Sequence, residues 1–282
     1  MTILGTGHAS GGISILHAVG LGQGCSTGIG LETIVKLTST PVPIDSDKHS
    51  LLESVVIIWN NSGLPLPPSI GWKVTSSIPI GQGLKSSSAL ACAALLALNE
   101  ATWAGLSDSE IVDLAVAAQR HSGCTISGSM DDCWASISPG WKLIDPTQSA
   151  SKSVLLTGQI EEGHSVLIIL RGDRKEVFFD KFPEQSLLFE RALSSLANGS
   201  IFTSMSTNGM AVAAAIGDDE ALRICNSAIA SGAISAGISG SGPAIAVIAF
   251  EEDATILESH LLDTGYNVIS TIFAKKEIEE VI

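Results

Sequence analysis

The composition of this chain is that of a folded protein with a sizeable core and few basic residues. Its 282 residues are enough for about two domains. Its 45% apolar and 16% charged residues exclude a disordered chain. The formal net charge of −14 argues against nucleic acid as a partner, since binding a phosphate backbone needs a concentrated basic surface. A small anionic ligand is compatible with this charge, because such a ligand needs only a few local cations.

The cysteines and the N-terminus indicate a cytoplasmic protein. The five cysteines are scattered and form no C-x-x-C pair, which favours reduced thiols over a disulfide framework or a zinc site. The first residues lack the basic start and the apolar core of a signal peptide. The apolar run at residues 89–98 has about half the length of a membrane span. We therefore expect no membrane partner, and the sequence does not indicate the oligomeric state.

Hydrophobic patterning predicts strands early in the chain and a buried helix after them. Residues 12–22 and 30–40 are predicted to form a pair of strands, because apolar and polar residues alternate in the second segment. Residues 71–78 alternate in the same way, whereas residues 50–63 are compatible with either a helix or a strand. Residues 87–104 are apolar nearly all round, as in a central buried helix.

A capping box marks the start of the next helix. Ser107 and Glu110 have the spacing that satisfies two backbone N–H groups at a helix N-terminus, and an apolar periodic run follows them. A glycine-rich turn is predicted at residues 121–132. We expect short strands between this turn and residue 145.

The second half of the chain mixes strands and helices. The polar, turn-rich residues 145–153 are the best linker candidate, and they divide the chain into domains of residues 1–148 and 149–282. The predicted strands occupy residues 165–170, 244–250 and 267–274. The predicted helices occupy residues 183–197, 203–216, 220–230 and 254–264. Since strands and helices do not alternate strictly, an α+β fold is favoured over a doubly wound sheet.

The stretch PIGQGLKSSSALACAALLAL (residues 79–98) combines a glycine loop, one cation and three serines with the start of the buried helix. Gly81 and Gly83 let backbone N–H groups converge at a helix tip that carries partial positive charge, which suits a phosphate. Lys85 adds a full charge, and the serines at 86–88 could donate hydrogen bonds or hold magnesium. The spacing is not that of the common P-loop. An ordinary turn capped by Ser86 or Ser87 is the alternative.

This loop resembles the phosphate-binding loop of the GHMP kinases, P-x-x-x-G-L-[GK]-S-S-[AS]-A. The form with a lysine after GL and three serines resembles the archaeal shikimate kinases within that superfamily. Four further stretches resemble family motifs in the expected order. They are SGGISILHAVGLGQGCSTGIGLE, GCTISGSMDDCWASI, TNGMAVAAAIG and SAGISGSGPAIAVI.

The resemblance implies a two-domain α+β fold and an ATP-dependent activity. It implies an N-terminal ribosomal-protein-like βαβ domain, a C-terminal ferredoxin-like domain and an active site in the cleft between them. It also implies transfer of phosphate from ATP, with Mg²⁺, to the 3-hydroxyl of shikimate. The nucleotide-binding residues implied are Pro79, Gly81, Gly83, Leu84, Lys85, Ser86, Ser87 and Ser88, with Ser87 as the metal ligand.

Asp131 and Asp132 form an adjacent pair of carboxylates. On a strand they would point to opposite faces, and on a helix they would diverge by about 100°, so only one can face a given hydroxyl. A carboxylate can accept the proton of an alcohol during phosphoryl transfer. Alternatively, these acids and Ser129 could cap a helix start. The resemblance assigns Asp131 as the base beside Lys85, and Asp132 as a structural or metal-linked residue next to the substrate.

One position departs from the family pattern. GHMP kinases usually carry a glutamate at the end of the preceding helix to help hold magnesium, whereas this chain has Gln119, Arg120 and His121 there. Either a serine hydroxyl, the phosphates and water hold the metal, or Asp131 or Asp132 takes part. Weak or lost activity is a further alternative.

The second half supplies candidate substrate ligands. Arg171 and Arg174 could clamp a carboxylate, as shikimate binding requires, or could belong to a solvated surface turn. Asn208 could bind substrate hydroxyls or cap its own helix. The loop with Gly240, Ser241 and Gly242 is expected to line the site. Competing functions are another GHMP kinase, acting on homoserine, mevalonate or a sugar, and a non-catalytic ligand-binding descendant.

Overall fold

Two antiparallel sheets, formed one after the other along the chain, organise the molecule. The computed structural model describes residues 2–40, 47, 49–125, 128–173 and 178–275. The strands are β1 (Ile3–Leu16), β2 (Gly24–Thr38), β3 (Gly71–Ser76), β4 (Trp141–Ile144), β5 (Val154–Gly158), β6 (His164–Leu170), β7 (Ser235–Ile238), β8 (Ile245–Phe250) and β9 (Asn267–Ile272).

Helices connect the strands and cover one face of each sheet. They are α1 (Ala18–Leu21), α2 (Leu51–Asn61), α3 (Ser86–Thr102), α4 (Asp108–Ser122), α5 (Met130–Ile137), α6 (Ala150–Ser153), α7 (Ser186–Ala197), α8 (Ile201–Ile216), α9 (Asp219–Ala230) and α10 (Glu251–Asp263), with a 3-10 helix at Phe182–Gln185. No helix in the described part of the chain is long and apolar enough to cross a membrane.

The first sheet has the order β1-β2-β4-β5, and β3 pairs with another part of β2. Because β3 and β4 both pair antiparallel with β2, they run in the same direction, and the helices α3 to α5 connect them as a βαβ unit. Helix α3 lies close against β1 because Gly5 and Gly7 have no side chains. A Cβ atom on Gly7 would come within 1.9 Å of the Ala93 carbonyl oxygen.

The second sheet has the order β7-β8-β6-β9, with every pair antiparallel. Its chain order is β6, three helices, β7, β8, α10, β9, which is the split βαβ arrangement of ferredoxin-like domains. The predicted α+β fold with two sheets of these types is confirmed.

The two sheets are joined directly at the end of the described chain. Ile29 of β2 forms a bridge with Phe273, and the backbone N–H of Ala274 donates to Gly28. Strand β5 still belongs to the first sheet because it pairs with β4. The sheets therefore change between Gly158 and His164, beyond the predicted boundary at residue 148, and the domain division itself stays a prediction.

The segment before residue 145 differs from the expectation of short strands. It forms α5 followed by the single strand β4. A helix is favoured because Asp131 and Asp132 occupy its first turn, while Cys133 and Trp134 bury its apolar side. The first two strands begin at Ile3 and Gly24, nine and six residues before their predicted starts, and the sequence did not indicate β5 or β7. The other predicted strands and helices agree with the structure to within about three residues, and the capping box of Ser107 and Glu110 is present.

Candidate active site

A polar pocket of about 140 Å³ lies where the glycine loop before α3 meets the loop after β7. Its lining combines hydroxyls, glycines and three charged side chains from both halves of the chain. The lining residues are Ser14, His17, Ala18, Val19, Gly81, Gly83, Lys85, Ser86, Ser87, Cys124, Thr125, Ser129, Asp131, Asp132, Gly240 and Ser241.

The glycine loop turns sharply to deliver the N-terminus of α3 to this pocket. Gly81 and Gly83 have φ angles of +76° and +79°, which glycine adopts without strain. Lys85 occupies the N-cap position with φ +66°, and its side chain makes no capping hydrogen bond. The first-turn N–H groups and the positive end of the helix are therefore presented to the pocket, as in an anion site.

Contacts from both sheets hold the loop in place. The backbone N–H of Gly12 donates to the Leu84 carbonyl at 3.1 Å, and the Ser239 hydroxyl donates to the Gly83 carbonyl at 2.8 Å. A Cβ atom on Gly83 would lie 2.1 Å from the Ser239 carbonyl oxygen. The two halves of the molecule thus meet along the loop itself.

Lys85 extends back across the pocket instead of out into solvent. Its Nζ lies 2.8 Å from Asp132 Oδ1 and donates to Ser14 Oγ at 2.7 Å. Gly12 leaves room for this path, since a Cβ atom there would be 3.1 Å from the Lys85 Cγ. The Lys85 and Asp132 side chains are only 8% and 15% exposed, so solvent screens their attraction weakly.

Asp131 is the buried carboxylate of the site. Burial, reinforced by the negative charge of Asp132, raises the pKa of Asp131 to about 7, although Lys85 and a hydrogen bond from Ser26 oppose the shift. The Ser26 hydroxyl lies 2.8 Å from Asp131 Oδ2 and 2.9 Å from Asp132 Oδ1. Gly24 provides the space for the carboxylate, because a Cβ atom there would be 2.7 Å from its Cγ. A carboxylate with this pKa can take up and release a proton near neutral pH.

Gln119 occupies the place where the family pattern has a glutamate. Its Oε1 accepts hydrogen bonds from Ser87 Oγ at 3.2 Å and Ser88 Oγ at 3.1 Å, and its Nε2 lies 3.1 Å from Cys133 Sγ. The amide is fully buried. Two of the three loop serines therefore turn toward α4, and Ser88, which is 1% exposed, does not line the pocket. The structure gives no support to the predicted role of the Ser88 side chain in nucleotide binding.

The loop after β7 closes the pocket from the second half. The backbone N–H of Gly240 donates to Ser14 Oγ at 3.1 Å, and Ser241 lines the pocket beside it. Gly242 lies behind them, with its N–H donated to the Ser239 carbonyl. Ser14 Oγ thus accepts from both the Gly240 amide and Lys85.

Several predicted site residues lie elsewhere. The Arg171 guanidinium donates to Asp218 through both Nη atoms and to the Pro243 carbonyl through Nε. Its Nε, Nη1 and Nη2 groups thus all donate to acceptors of the protein, and Arg171 does not line the pocket. The structure gives no support to its predicted role as a substrate ligand. Arg174 falls outside the described residues.

The remaining predicted residues support the site instead of lining it. Asn208 is buried in α8, and its Oδ1 accepts from the backbone N–H of His17 at 2.9 Å, which fixes a residue of the pocket wall. Leu84 is also buried and anchors the loop through its carbonyl. Pro79 precedes the turn and does not line the pocket.

Sequence reasoning missed the hydroxyls that contact the charged groups. Ser14 and Ser26 come from β1 and β2 and contact Lys85 and the two carboxylates. Ser14 and Ser26 lie inside the first stretch that resembles a family motif, which is the one available signal. Serine spacing alone could not have identified them, because their partners are distant in sequence.

The donor set for a metal ion is small. The described residues contain no cluster of three or more His, Cys, Asp or Glu side chains that could hold a metal. The pocket nevertheless offers the carboxylates of Asp131 and Asp132 and the hydroxyl of Ser87. One or two carboxylates together with substrate phosphates are the ligands that Mg²⁺ commonly has in nucleotide sites, so this set fits magnesium.

Comparison with known proteins assigns the chain to a class. Residues 51–140 match the family described as GHMP kinases N terminal domain. The mevalonate kinase structure of Methanococcus jannaschii superposes with a TM-score of 0.77 at 14% identity, covering 96% of this chain and 98% of that one. The L. major mevalonate kinase in complex with R-mevalonate gives 0.68 at 15%, covering 95% of each. The fold is therefore that of the GHMP kinases.

Relatives with closer sequences narrow the class to a family. A protein named shikimate kinase from Pyrococcus abyssi is 31% identical over 268 residues, which are 89% of this chain and 94% of that protein. Another shikimate kinase, from Methanothermobacter thermautotrophicus, is 26% identical over 95% of this chain and 93% of its own length. The chain belongs to the archaeal-type shikimate kinase family of the GHMP kinases, a family that implies ATP as the phosphoryl donor, and the resemblance of its motifs is confirmed.

Proposed function

We propose that this protein transfers the γ-phosphoryl group of ATP to the 3-hydroxyl of shikimate. The names of its relatives support the acceptor. The observation that carries the proposal is the position of Asp131, a buried carboxylate with a pKa near 7, in the same pocket as the uncapped N-terminus of α3. A base beside a phosphate site is the arrangement that phosphoryl transfer to an alcohol requires.

The glycine loop and α3 bind the triphosphate in this proposal. Backbone N–H groups of the first turn of α3 donate to phosphate oxygens, and the helix dipole favours their negative charge. Gly240 and Ser241 approach the same pocket from the second half. Because both halves of the chain contribute to the walls, the phosphates and the acceptor hydroxyl are held side by side, which lowers the entropic cost of the reaction.

Asp131 accepts the proton of the attacking hydroxyl. Lys85 and the Ser26 hydroxyl stabilise the negative charge of Asp131, while burial and the charge of Asp132 oppose its ionisation. The balance leaves Asp131 able to exist as a carboxylate at neutral pH. Asp132 holds the Lys85 ammonium inside the pocket, where its positive charge lies beside the transferring phosphoryl group.

Magnesium fits the donor set of the pocket. Asp132 and Ser87, with phosphate oxygens, would hold the ion in place of the absent glutamate at Gln119. When bound, Mg²⁺ neutralises charge on the β- and γ-phosphates.

An acceptor panel tests the proposal. The purified protein is supplied with ATP, Mg²⁺ and either shikimate, homoserine, mevalonate or galactose, and ADP release is measured. We expect turnover with shikimate well above that with the other three. Turnover with homoserine or mevalonate but not shikimate would contradict the acceptor, and nucleotide binding without transfer to any acceptor would contradict the enzymatic role.

A further inference from the structure

Arg120, a cation close to the pocket, has no anionic partner among the residues that the structure describes. Arg120 lies in the last turn of α4 and carries an exposed side chain. Within the described ranges, the ion pairs formed by lysine and arginine involve Lys85, Arg171 and Lys275, and none involves Arg120. Because the side chain is exposed, an anion can reach its guanidinium from solution.

Arg120 lies against the loop that leads to the acid pair. A Cβ atom on Gly128 would be 2.7 Å from the Arg120 Nη2, 2.8 Å from its Nε and 3.0 Å from its Cζ, so the guanidinium covers this glycine directly. Gly128 also has φ +94°. A side chain at position 128 would displace the guanidinium, and the backbone conformation independently favours glycine there.

Two residues close to Gly128 line the pocket. Thr125 and Ser129 line the pocket, and their hydroxyls lie 2.8 Å apart. The Gly128 N–H donates to Thr125 Oγ1 at 3.0 Å. Asp131 follows Gly128 by three residues, so their Cα atoms are at most roughly 11 Å apart. Arg120 and the proposed base thus flank one short loop.

The pocket itself has too few positive charges to bind both ATP and a carboxylate. Among its lining residues, the charges are those of Lys85, Asp131 and Asp132, and Lys85 is already paired with Asp132. ATP and a carboxylate-bearing acceptor both bring negative charge to this place. Arg171, which the sequence suggested as a ligand of the acceptor carboxylate, is bound to Asp218.

We propose that Arg120 binds the carboxylate of the acceptor at the rim of the pocket and so selects acidic acceptors. This inference rests on the proposed function, since it takes the acceptor to occupy the space beside Asp131. A guanidinium offers two parallel N–H donors to a carboxylate, a geometry that lysine does not reproduce. The acceptor would then be held by its carboxylate at Arg120, with a hydroxyl directed to Asp131.

The test compares Arg120→Ala and Arg120→Lys with the wild-type protein, using shikimate and methyl shikimate as acceptors. Arg223→Ala, at an exposed arginine of α9 away from the pocket, is the matched control. We expect Arg120→Ala to raise KM for shikimate about 10- to 100-fold, as for loss of a charge-assisted hydrogen-bonded pair. KM for ATP should change less than about two-fold, and Arg120→Lys should recover only part of the loss.

The ester separates binding of the carboxylate from a structural role. Methyl shikimate lacks the negative charge, so Arg120→Ala should change its kcat/KM by less than about three-fold, whereas a general disturbance of the loop would lower both acceptors equally. Equal losses for the two acceptors, or a rise in KM for ATP in place of shikimate, would overturn the inference. The second of these results would assign Arg120 to the nucleotide phosphates.

Failure of the proposed function gives a different result. If the wild-type protein ignores shikimate but phosphorylates homoserine or mevalonate, the proposed acceptor is wrong, and the same variants are measured with that carboxylate-bearing acceptor. Selective loss with Arg120→Ala would then still support the inference. If the wild-type protein accepts only galactose, or binds no carboxylate-bearing compound in calorimetric titration, Arg120 does not select acidic acceptors.

Discussion

Two ion pairs of similar burial occupy the two halves of the molecule, and only one of them lies in the candidate active site. Lys85 and Asp132 are 8% and 15% exposed, and Arg171 and Asp218 are 10% and 23% exposed. Each pair joins a residue near a glycine-containing loop to a helix N-terminus. Burial and ion pairing by themselves therefore do not distinguish a catalytic site from a structural contact.

The difference between the pairs is how completely their charges are matched. Arg171 uses Nε on the Pro243 carbonyl and both Nη atoms on Asp218, while Asp218 also caps α9 by accepting from the Ala221 N–H. This pair fastens β6 to α9 and the loop before β8. Its donors are matched by acceptors of the protein itself, which is the pattern of a structural contact.

The pair in the pocket has an additional carboxylate beside it. Lys85 faces Asp132, and Asp131 adds a second negative charge that is buried among the same groups. A buried carboxyl group that is not fully compensated has a raised pKa, which weakens the fold but suits proton transfer. The unmatched carboxylate of Asp131 therefore distinguishes the functional site better than the ion pair of Lys85 and Asp132 does.

Removing the surplus charge should have the largest effect on activity. Asp131→Asn keeps the shape of the side chain but cannot accept a proton, so kcat should fall about 100-fold or more. Steady-state ADP release at pH 8 measures this. Asp218→Asn, in the other pair, is the matched control and should leave kcat within about two-fold. Unchanged kcat in Asp131→Asn would contradict its role as the base.

The same variant has a consequence for stability with a defined sign. The pKa of Asp131 is about 7 in the folded protein against a reference value of 3.8. Between these values the folded state binds more protons than the unfolded state, so wild-type stability falls as pH rises from about 4 to about 7. Asparagine does not titrate, so the stability of Asp131→Asn does not fall in this way. The Tm of the variant minus the Tm of the wild-type protein should therefore be larger at pH 8 than at pH 5. A difference independent of pH would contradict the raised pKa.

Breaking the structural pair should mainly affect stability. Arg171→Ala leaves Asp218 with its remaining contacts but without the guanidinium, and the free energy of unfolding should fall by about 2 kcal/mol. Urea denaturation measures this loss. The kcat/KM of the folded variant for shikimate should stay within about three-fold of wild type. Unchanged stability with a tenfold loss of kcat/KM would instead restore Arg171 as a substrate ligand, as the sequence predicted.

Weakening the support of Asp131 should have the smallest effect and should depend on pH. Ser26→Ala removes a hydroxyl that lowers the pKa of Asp131. In the wild-type protein we expect kcat/KM to fall below about pH 7 as Asp131 is protonated. In Ser26→Ala the midpoint of this fall should move up by about half to one pH unit, equivalent to about 1 kcal/mol. Rates above pH 8.5 should be nearly unchanged. Ser26→Thr keeps the donor and is the matched control, and an unmoved limb in Ser26→Ala would show that the limb belongs to another group.

Much of the fold could be predicted from the sequence because it depends on local patterns. The buried helix was predicted at residues 87–104 and lies at Ser86–Thr102, and the capping box of Ser107 and Glu110 is formed. Helix α5 was not predicted, because residues up to 132 were assigned to a turn and the following ones to short strands; a short segment with mixed apolar and acidic residues has no clear period. Tertiary packing of Cys133 and Trp134 decides in favour of the helix there.

The candidate site could be predicted only in part. The loop glycines, Lys85 and the acid pair stand out because they are clustered in short stretches. The direction of Lys85 does not follow from its neighbours in sequence, which suggested a cation on the phosphates, whereas the folded chain turns it toward Asp132 and Ser14. Its path depends on Gly12, a residue of a distant strand.

The sequence by itself identified the family, through the resemblance of its motifs, and most of the long helices and strands, since these depend on residue patterns that are local in the chain. Tertiary structure alone decided which carboxylate is buried, which arginine is paired and which serines support the charges. Ser26 and Asp131 are 105 residues apart, and Lys85 and Ser14 are 71 apart. A pKa or an ion pair depends on distances of a few ångströms between such groups, and only the packing of β1, β2, α3 and α5 against one another sets those distances.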